Sequence, residues 1–197
     1  MTPNQVQGRP LLTELKRKAI HLLFGLTIPV LYELLPEFLG RWILVTVTAG
    51  VTAVDFLRLG NPFFRRLFME FFAPLIRRHE RSALTGASFL LISSLVCILV
   101  FDKPAAVAAI AFMVVGDTMA AVVGRAWGRT RLFGKTLEGT AACFLSCAAI
   151  SLLVPHLPLR AGWAGAGVAA LVELLPIPVD DNLSIPILSG WAMQVLL

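Results

Sequence analysis

Apolar residues in this chain form long continuous runs separated by short polar, mostly basic segments. Neither the period-two alternation of a strand nor the one-sided stripe of a soluble helix dominates. A bilayer-spanning helix takes about 20 residues. On that measure the pattern predicts seven spans: Ile20–Leu39, Trp42–Leu57, Leu84–Phe101, Pro104–Val123, Leu137–Val154, Ala161–Leu175 and Leu183–Leu197. The first apolar run is too long for a signal-peptide core, and no small-x-small cleavage site follows it, so it is read as an uncleaved span. One loop carries an element of its own, an amphipathic helix predicted over residues 61–81. Asn61 caps it, Pro62 stands at its first position, and Phe63, Phe64, Leu67, Phe68, Phe71, Phe72 and Leu75 recur at helical spacing. Arg65, Arg66, Arg77 and Arg78 fall on other faces, as on a helix lying in the membrane interface. Pro74 kinks or ends it. It serves either as a structural skirt or as a wall that gates lipid access.

Composition narrows the class. The 197 residues are 57% hydrophobic and 15% charged, with a mean hydropathy of +0.81. A soluble domain is nearer a quarter charged. A soluble enzyme, a disordered chain and a disulfide scaffold are therefore excluded. The expectation is an all-α polytopic membrane protein, with one transmembrane domain over 1–197. The net charge of +5 needs no nucleic-acid partner, because basic residues gather on alternate sides of the spans. Fourteen of the seventeen Lys and Arg lie before span 1, between spans 2 and 3, or between spans 4 and 5. That alternation places the N-terminus and the 1–19 segment in the cytoplasm, and the C-terminus outside. The setting expected is the cell (inner) membrane, crossed several times, with the active site facing the cytoplasm. Cys97, Cys143 and Cys147 lie in apolar runs and read as small core hydrophobes.

The acidic residues add chemistry. Of twelve, only Glu33, Glu37 and Asp102 flank the outer side. Carboxylates do not set topology, so crowding on the other side fits a site for a divalent cation and phosphates. Asp117 follows Gly116 within an apolar helix, about 20 Å in from Pro104. A carboxylate at that depth is costly unless paired or wetted, which makes it a functional candidate. The plain alternative is a structural aspartate bonded to a neighbouring helix. After it, the 124–138 loop carries Gly124, Arg125, Gly128, Arg129, Arg131, Gly134 and Lys135. Glycines admit an anion close to backbone, arginines clasp phosphate, and the helix start after Lys135-Thr136 favours an anion. The alternative is a basic loop with turn glycines. A P-loop is rejected, because Gly128 and Gly134 enclose five residues where that motif needs four, and no strand precedes them. Glu14, Arg17, Lys18 and His21 share one helix face, as a local anchor or as part of the site. Asp55 and Arg58 read as a pair at a helix end. Between spans 6 and 7, Pro176 through Asn182 breaks up two short helices, which suits a cavity opening inward.

Read in order, these pieces resemble a known family. Glu14-x-x-Arg17-Lys18-x-x-His21, Asp55-x-x-Arg58, Arg77-x-x-Glu80 with Leu84-Thr85-Gly86, Gly116-Asp117-Thr118, Gly124-Arg125-x-x-Gly128-Arg129, Lys135-Thr136-x-Glu138-Gly139, Glu173 and Asp181-Asn182 through Pro186 occur in sequence. The chain resembles the CTP-dependent polyprenol and diacylglycerol kinases: dolichol kinase, phytol kinase and the yeast-type diacylglycerol kinase. It looks like a compact, prokaryotic-like form.

The resemblance implies transfer of the γ-phosphoryl of CTP to the hydroxyl of a lipid alcohol, with Mg²⁺. It implies Asp117, Lys135 and Glu138 as catalytic residues. Nucleotide binding would fall to Arg17, Lys18, His21, Gly124, Arg125, Gly128, Arg129, Thr136 and Asn182. Asp117, Asp181 and Glu173 would hold the metal, with Asp117 alternatively the base for the hydroxyl proton. The expected partners are a lipid alcohol, a nucleoside triphosphate and the bilayer. The middle segment also resembles phosphatidate cytidylyltransferases, which make CDP-diacylglycerol, but lacks their Ser-Pro-Lys-Lys-Thr run. A small lipid transporter or flippase is the non-enzyme alternative. Gly162, Ala166 and Ala170 form a small-residue stripe that permits close helix packing.

Overall fold

The computed structural model describes residues 11–73, 75–76 and 79–197, with side chains from Lys18 onward except that of His79. All seven apolar runs are helical. They appear as α1 Leu11–Leu34, α2 Glu37–Gly60, α4 Gly86–Val100, α5 Lys103–Ala111 with α6 Asp117–Trp127, α7 Leu137–Ser151, α8 Leu159–Leu174 and α9 Asp181–Gln194. The interfacial helix is α3, Pro62–Phe72. α2 and the continuous helix Lys103–Trp127 are each long and apolar enough to cross a bilayer. The described residues have the build of an all-α membrane protein with one two-strand ribbon.

Three predicted boundaries move, each for a local reason. The first run extends on paper to Leu39, but α1 stops at Leu34 and Phe38 and Leu39 belong to α2. Pro36 disfavours helix at the residue before it and takes the position ahead of the first turn of α2. The helix predicted over 61–81 ends at Phe72, two residues before Pro74 in the sequence, and among the described residues a 3₁₀ turn at His79–Arg81 follows. Its start is as read, with the Asn61 side chain accepting a hydrogen bond from Phe63 N at 2.8 Å. Finally, the 124–138 segment is not one loop. Gly124 and Arg125 lie in the last turn of α6. The remainder makes a hairpin of β1 Arg131–Leu132 and β2 Lys135–Thr136. Phe133 and Gly134 turn it, both with positive φ, as a two-residue primed turn requires.

α5 is the centre of the bundle. Ala105 through Ile110 are buried, with α1, α4 and α9 packed around them. Small side chains there let the neighbouring helices approach. Between α5 and α6 the helix passes through a π-turn, Phe112–Gly116. Such a turn accommodates one extra residue and loosens the backbone ladder. Thr118 Oγ1 donates to Val114 O at 2.7 Å, and Cys147 Sγ to Phe112 O at 3.7 Å, so side chains fill in around it. Gly116 faces both Cys143 and Cys147; a Cβ there would sit 2.9 Å or less from each sulfur. The small-residue stripe of α8 is spent inside the fold. Gly162 abuts Ser151, and Ala166 is fully buried. At the opposite end, Lys103 Nζ donates to Glu33 O at 2.9 Å, and the Asp102 carboxylate accepts from Gln194 Nε2 at 2.9 Å. The end of α1, the start of α5 and the end of α9 therefore share one face.

Candidate active site

The other face gathers the start of α1, the end of α2, the starts of α4, α7 and α9, and the end of α8. The start of α6, reached through the π-turn, brings Asp117 to the same place. Lys18 Nζ ion-pairs with the Asp117 carboxylate and reaches its carbonyl oxygen at 3.3 Å. Lys18 is buried and Asp117 half-buried. A second lysine, Lys135 on β2, lies between Asp181 Oδ2 at 3.0 Å and Glu173 Oε1 at 3.4 Å. Thr140 Oγ1 donates to the other oxygen of Glu173 at 3.0 Å. Next to Asp181, Asn182 is fixed by Asp180, whose Oδ1 accepts from both its backbone N and its Nδ2. Ser93 Oγ donates to Asn182 O at 2.6 Å and ties α4 to α9.

Electrostatics couple the group. Burial alone would lower the Lys135 ammonium, but Asp181 and Glu173 beside it hold it above the usual lysine value. Burial pushes the Asp181 carboxyl up, against the pull of Lys135, and Asp117 and Asp180 add to the rise. Asp117 is thus within electrostatic reach of both Lys135 and Asp181.

The site residues expected from sequence divide into those brought together and those not. Lys18, Asp117, Lys135, Glu173, Asp181 and Asn182 converge. The side chains of Arg17 and Glu14 lie outside the described residues. His21, one turn after Lys18, lines a cavity that Asp117 and Asn182 also line. Arg125 and Arg129 are exposed at the rim. Gly124 has a packing job: a Cβ there would lie 2.5 Å from Thr136 Oγ1. Gly128 is likewise pressed against Thr136. Thr136 itself caps α7, accepting from Gly139 N at 3.2 Å. The Glu138 carboxylate accepts from Thr130 N at 3.1 Å, so it braces the hairpin that carries Lys135. Among the described residues, no three His, Cys, Asp or Glu side chains converge as metal ligands. Lys135 stands between two of the three expected ligands, and Lys18 pairs with the third.

One assembly exceeds what spacing suggests. The pair read as a helix end, Asp55 and Arg58, is fully buried and organises the 80–86 loop. Asp55 Oδ1 accepts from Arg58 Nε at 2.5 Å. Its Oδ2 accepts from Thr85 N and Oγ1, both at 2.8 Å, and from Ser88 Oγ at 2.7 Å. Arg58 donates onward to Glu80 O at 2.9 Å and Ala83 O at 2.7 Å, and its guanidinium lies over the Phe68 ring. Glu80, set by this network, accepts from Gly86 N at 2.9 Å and lines the same cavity as Asp117. In the sequence Glu80 stands in the Arg77-x-x-Glu80 piece of the resemblance, without a site role assigned to it.

With this geometry in place, comparison with known proteins is informative. The chain is 28% identical to CTP-dependent diacylglycerol kinase 1 of Schizosaccharomyces pombe, over 93% of this chain and 94% of that one. It is 25% identical to CTP-dependent diacylglycerol kinase 1 of Saccharomyces cerevisiae, over 93% and 73%. It is 27% identical to a Triticum aestivum protein named "Probable phytol kinase, chloroplastic", over 88% and 64%. No protein-family model matches the chain, and no solved structure matches it. Over most of its length, then, this chain has CTP-dependent diacylglycerol kinases and a phytol kinase as its homologues, the lipid kinase family that its ordered motifs resemble.

Proposed function

We propose that this protein is an integral-membrane kinase that transfers the γ-phosphoryl of CTP to the hydroxyl of a lipid alcohol. One observation carries the reading. Asp117 is ion-paired to Lys18 on the charged side of the site and also lines an apolar cavity. A water-soluble donor and a lipid acceptor need such a shared point.

Lys18 and Lys135, with Arg125 and Arg129 at the rim, hold the triphosphate, since phosphoryl transfer depends mostly on positioning and charge stabilisation. Asp181 and Glu173 offer oxygen donors of the kind a hard divalent cation takes, and they would hold one only with Lys135 turned away from them toward the phosphates. A Mg²⁺ ion held by these two residues would supply charge neutralisation for the triphosphate. Asp117 receives the hydroxyl proton as the acceptor oxygen bonds to the γ-phosphorus. The bond from that phosphorus to the β–γ bridging oxygen breaks, and CDP leaves. Glu138 positions Lys135 through the hairpin. Seven spans, with these residues at the cytoplasmic side of the cell membrane, accord with the basic-residue alternation and with the gathering of the site at one face.

The test is one assay. Purified protein receives γ-labelled CTP or ATP with Mg²⁺ and a panel of diacylglycerol, phytol, farnesol and polyprenols. The expected result is label in lipid phosphate, with CTP the better donor and chelation abolishing transfer. Label entering lipid from α-labelled CTP, with release of pyrophosphate, would instead show a cytidylyltransferase.

A further inference from the structure

We infer that the cavity between α1, α2 and α4 holds the hydrocarbon chain of an uncharged lipid alcohol, and that this lipid enters sideways from the bilayer between α1 and α2. The inference rests on the kinase reading above and specifies its acceptor side. The cavity measures about 680 Å³. At the ~30 Å³ of one water-sized group, it takes on the order of twenty methylene-sized units, enough for a single long chain. Its walls are apolar, with Phe24, Val51, Val54, Phe68, Ile76 and Leu90 among them.

Two features set the direction of access. Phe24 and Val54 line the cavity and are also 66% and 48% exposed. They stand on α1 and α2, which pack on α5 and on α4 more than on one another. The opening therefore lies between α1 and α2, at a face that is itself apolar.

Charge sets the class of head group. The polar residues lining the cavity are His21, Asp55, Glu80, Thr85, Asp117 and Asn182, three of them acids. Among the described lining residues there is no lysine or arginine. Asp55 is filled by its four donors, so Glu80 and Asp117 are the carboxylates left to accept from a hydroxyl, and an anionic head group would have to compete with the acids for Arg58 and Lys18. The Arg58–Asp55 network fixes Glu80 beforehand on the cavity that Asp117 also lines, so the hydroxyl is met by a preset wall.

Gly50 supplies the test. It lines the cavity, and a Cβ built on it meets nothing within 4 Å, so a larger side chain starts out in open space. Gly50→Leu and Gly50→Phe should melt like the wild type. For a twenty-carbon prenol they should lower kcat/KM at least about tenfold, a loss on the scale of a misfitted hydrophobic pocket. The nucleotide KM and transfer to a six-carbon alcohol should hold. Gly60→Phe, in equally open space away from the cavity, should match the wild type. A diazirine-bearing long-chain alcohol should label peptides around Phe24 and Val54, less so in Gly50→Phe, and phosphatidate should compete poorly. Unchanged long-chain kinetics, labelling elsewhere, or stronger competition by phosphatidate would overturn the inference while leaving kinase activity standing. A wild type that phosphorylates no alcohol yet is labelled at Phe24 and Val54 would overturn the kinase reading and keep the lipid site.

Discussion

Lys18 and Asp117 are 99 residues apart in the chain and meet as an ion pair at the end of an apolar cavity. A buried pair of this kind contributes little net stability, yet losing one partner strands the other. Asp117→Asn should therefore leave an uncompensated Lys18 and lower stability by a few kcal/mol, the scale seen when one half of a buried pair is removed. Lipid phosphorylation should fall by about 10²-fold or more, as for a lost base or charge-stabilising group. A Lys18→Met, Asp117→Asn double variant should recover stability but not activity. The check is a double-variant cycle read by both thermal melting and single-turnover transfer. Activity returning together with stability would make the pair structural.

Lys135→Ala should act mainly on the donor. Lys135 is the cation between Asp181 and Glu173, and it reaches the site from a hairpin beside the exposed arginines. The expected outcome is a nucleotide KM raised about tenfold or more, a scale set by the loss of one charge-assisted phosphate contact. The acceptor KM should stay flat. Initial rates at varied CTP and fixed prenol decide it.

Glu138 should behave as a positioning residue. Its carboxylate accepts only from backbone in the described hydrogen bonds, at Thr130. Glu138→Gln keeps an acceptor oxygen and should stay within about tenfold of wild type, since a single hydrogen bond is worth roughly 1 kcal/mol. Glu138→Ala should raise the nucleotide KM in the same direction as Lys135→Ala, with kcat less affected. A loss in kcat alone for Glu138→Gln would move Glu138 into the chemistry.

Asp55→Asn should fail differently. Asp55 accepts four hydrogen bonds while fully buried, and the mutation turns one acceptor oxygen into a donor facing donors. It also strands the Arg58 guanidinium. The predicted cost is about 3–5 kcal/mol, as for a broken buried pair. Ser88→Ala, removing one donor, should cost nearer ~1 kcal/mol. Thermal unfolding in detergent distinguishes the two. Equal melting temperatures would mean the 80–86 loop is held by something else.

The bundle could be read from sequence because its signal is long-range and redundant. Every one of seven apolar runs is a helix, and Asn61-Pro62 starts α3 as capping chemistry requires. Two of the boundaries that moved did so at prolines, where a single residue overrides the hydropathy of its neighbours, and the third at the Phe133-Gly134 turn of the hairpin. Of the candidate site, part of the membership was legible: Lys18, Asp117, Lys135, Glu173, Asp181 and Asn182 converge, while Gly124, Gly128, Thr136 and Glu138 serve packing and capping, and the roles of all of them are proposals. Their pairing was not, because which lysine meets which carboxylate depends on helix packing rather than spacing. The glycines show the same limit. Gly124 and Gly128 suit a phosphate loop on paper, but the fold uses their lack of a side chain to seat α6 against Thr136. Asp55 looked like a local i, i+3 partner of Arg58, and three of its four donated bonds come from residues thirty or more positions away.

The π-turn ahead of Asp117 makes the site sensitive to residue count as well as residue identity. Each residue of an α-helix advances the direction of its side chain by about 100°. The stretch Phe112–Gly116 absorbs one residue more than a regular ladder would use. Deleting a single apolar residue there, such as Met113, would let the ladder close into plain α-helix and leave Asp117 facing Lys18. The same deletion within α5, where no residue is in surplus, would swing Asp117 and everything C-terminal to it on α6 through roughly a quarter turn relative to the start of the helix, at about 100° per residue. Neither deletion changes a charged group, and both keep the helix long enough to insert. The angular phase between α5 and α6 is thus a heritable setting of its own. Length changes in this one helix are expected to be buffered at the π-turn and fatal to the site outside it.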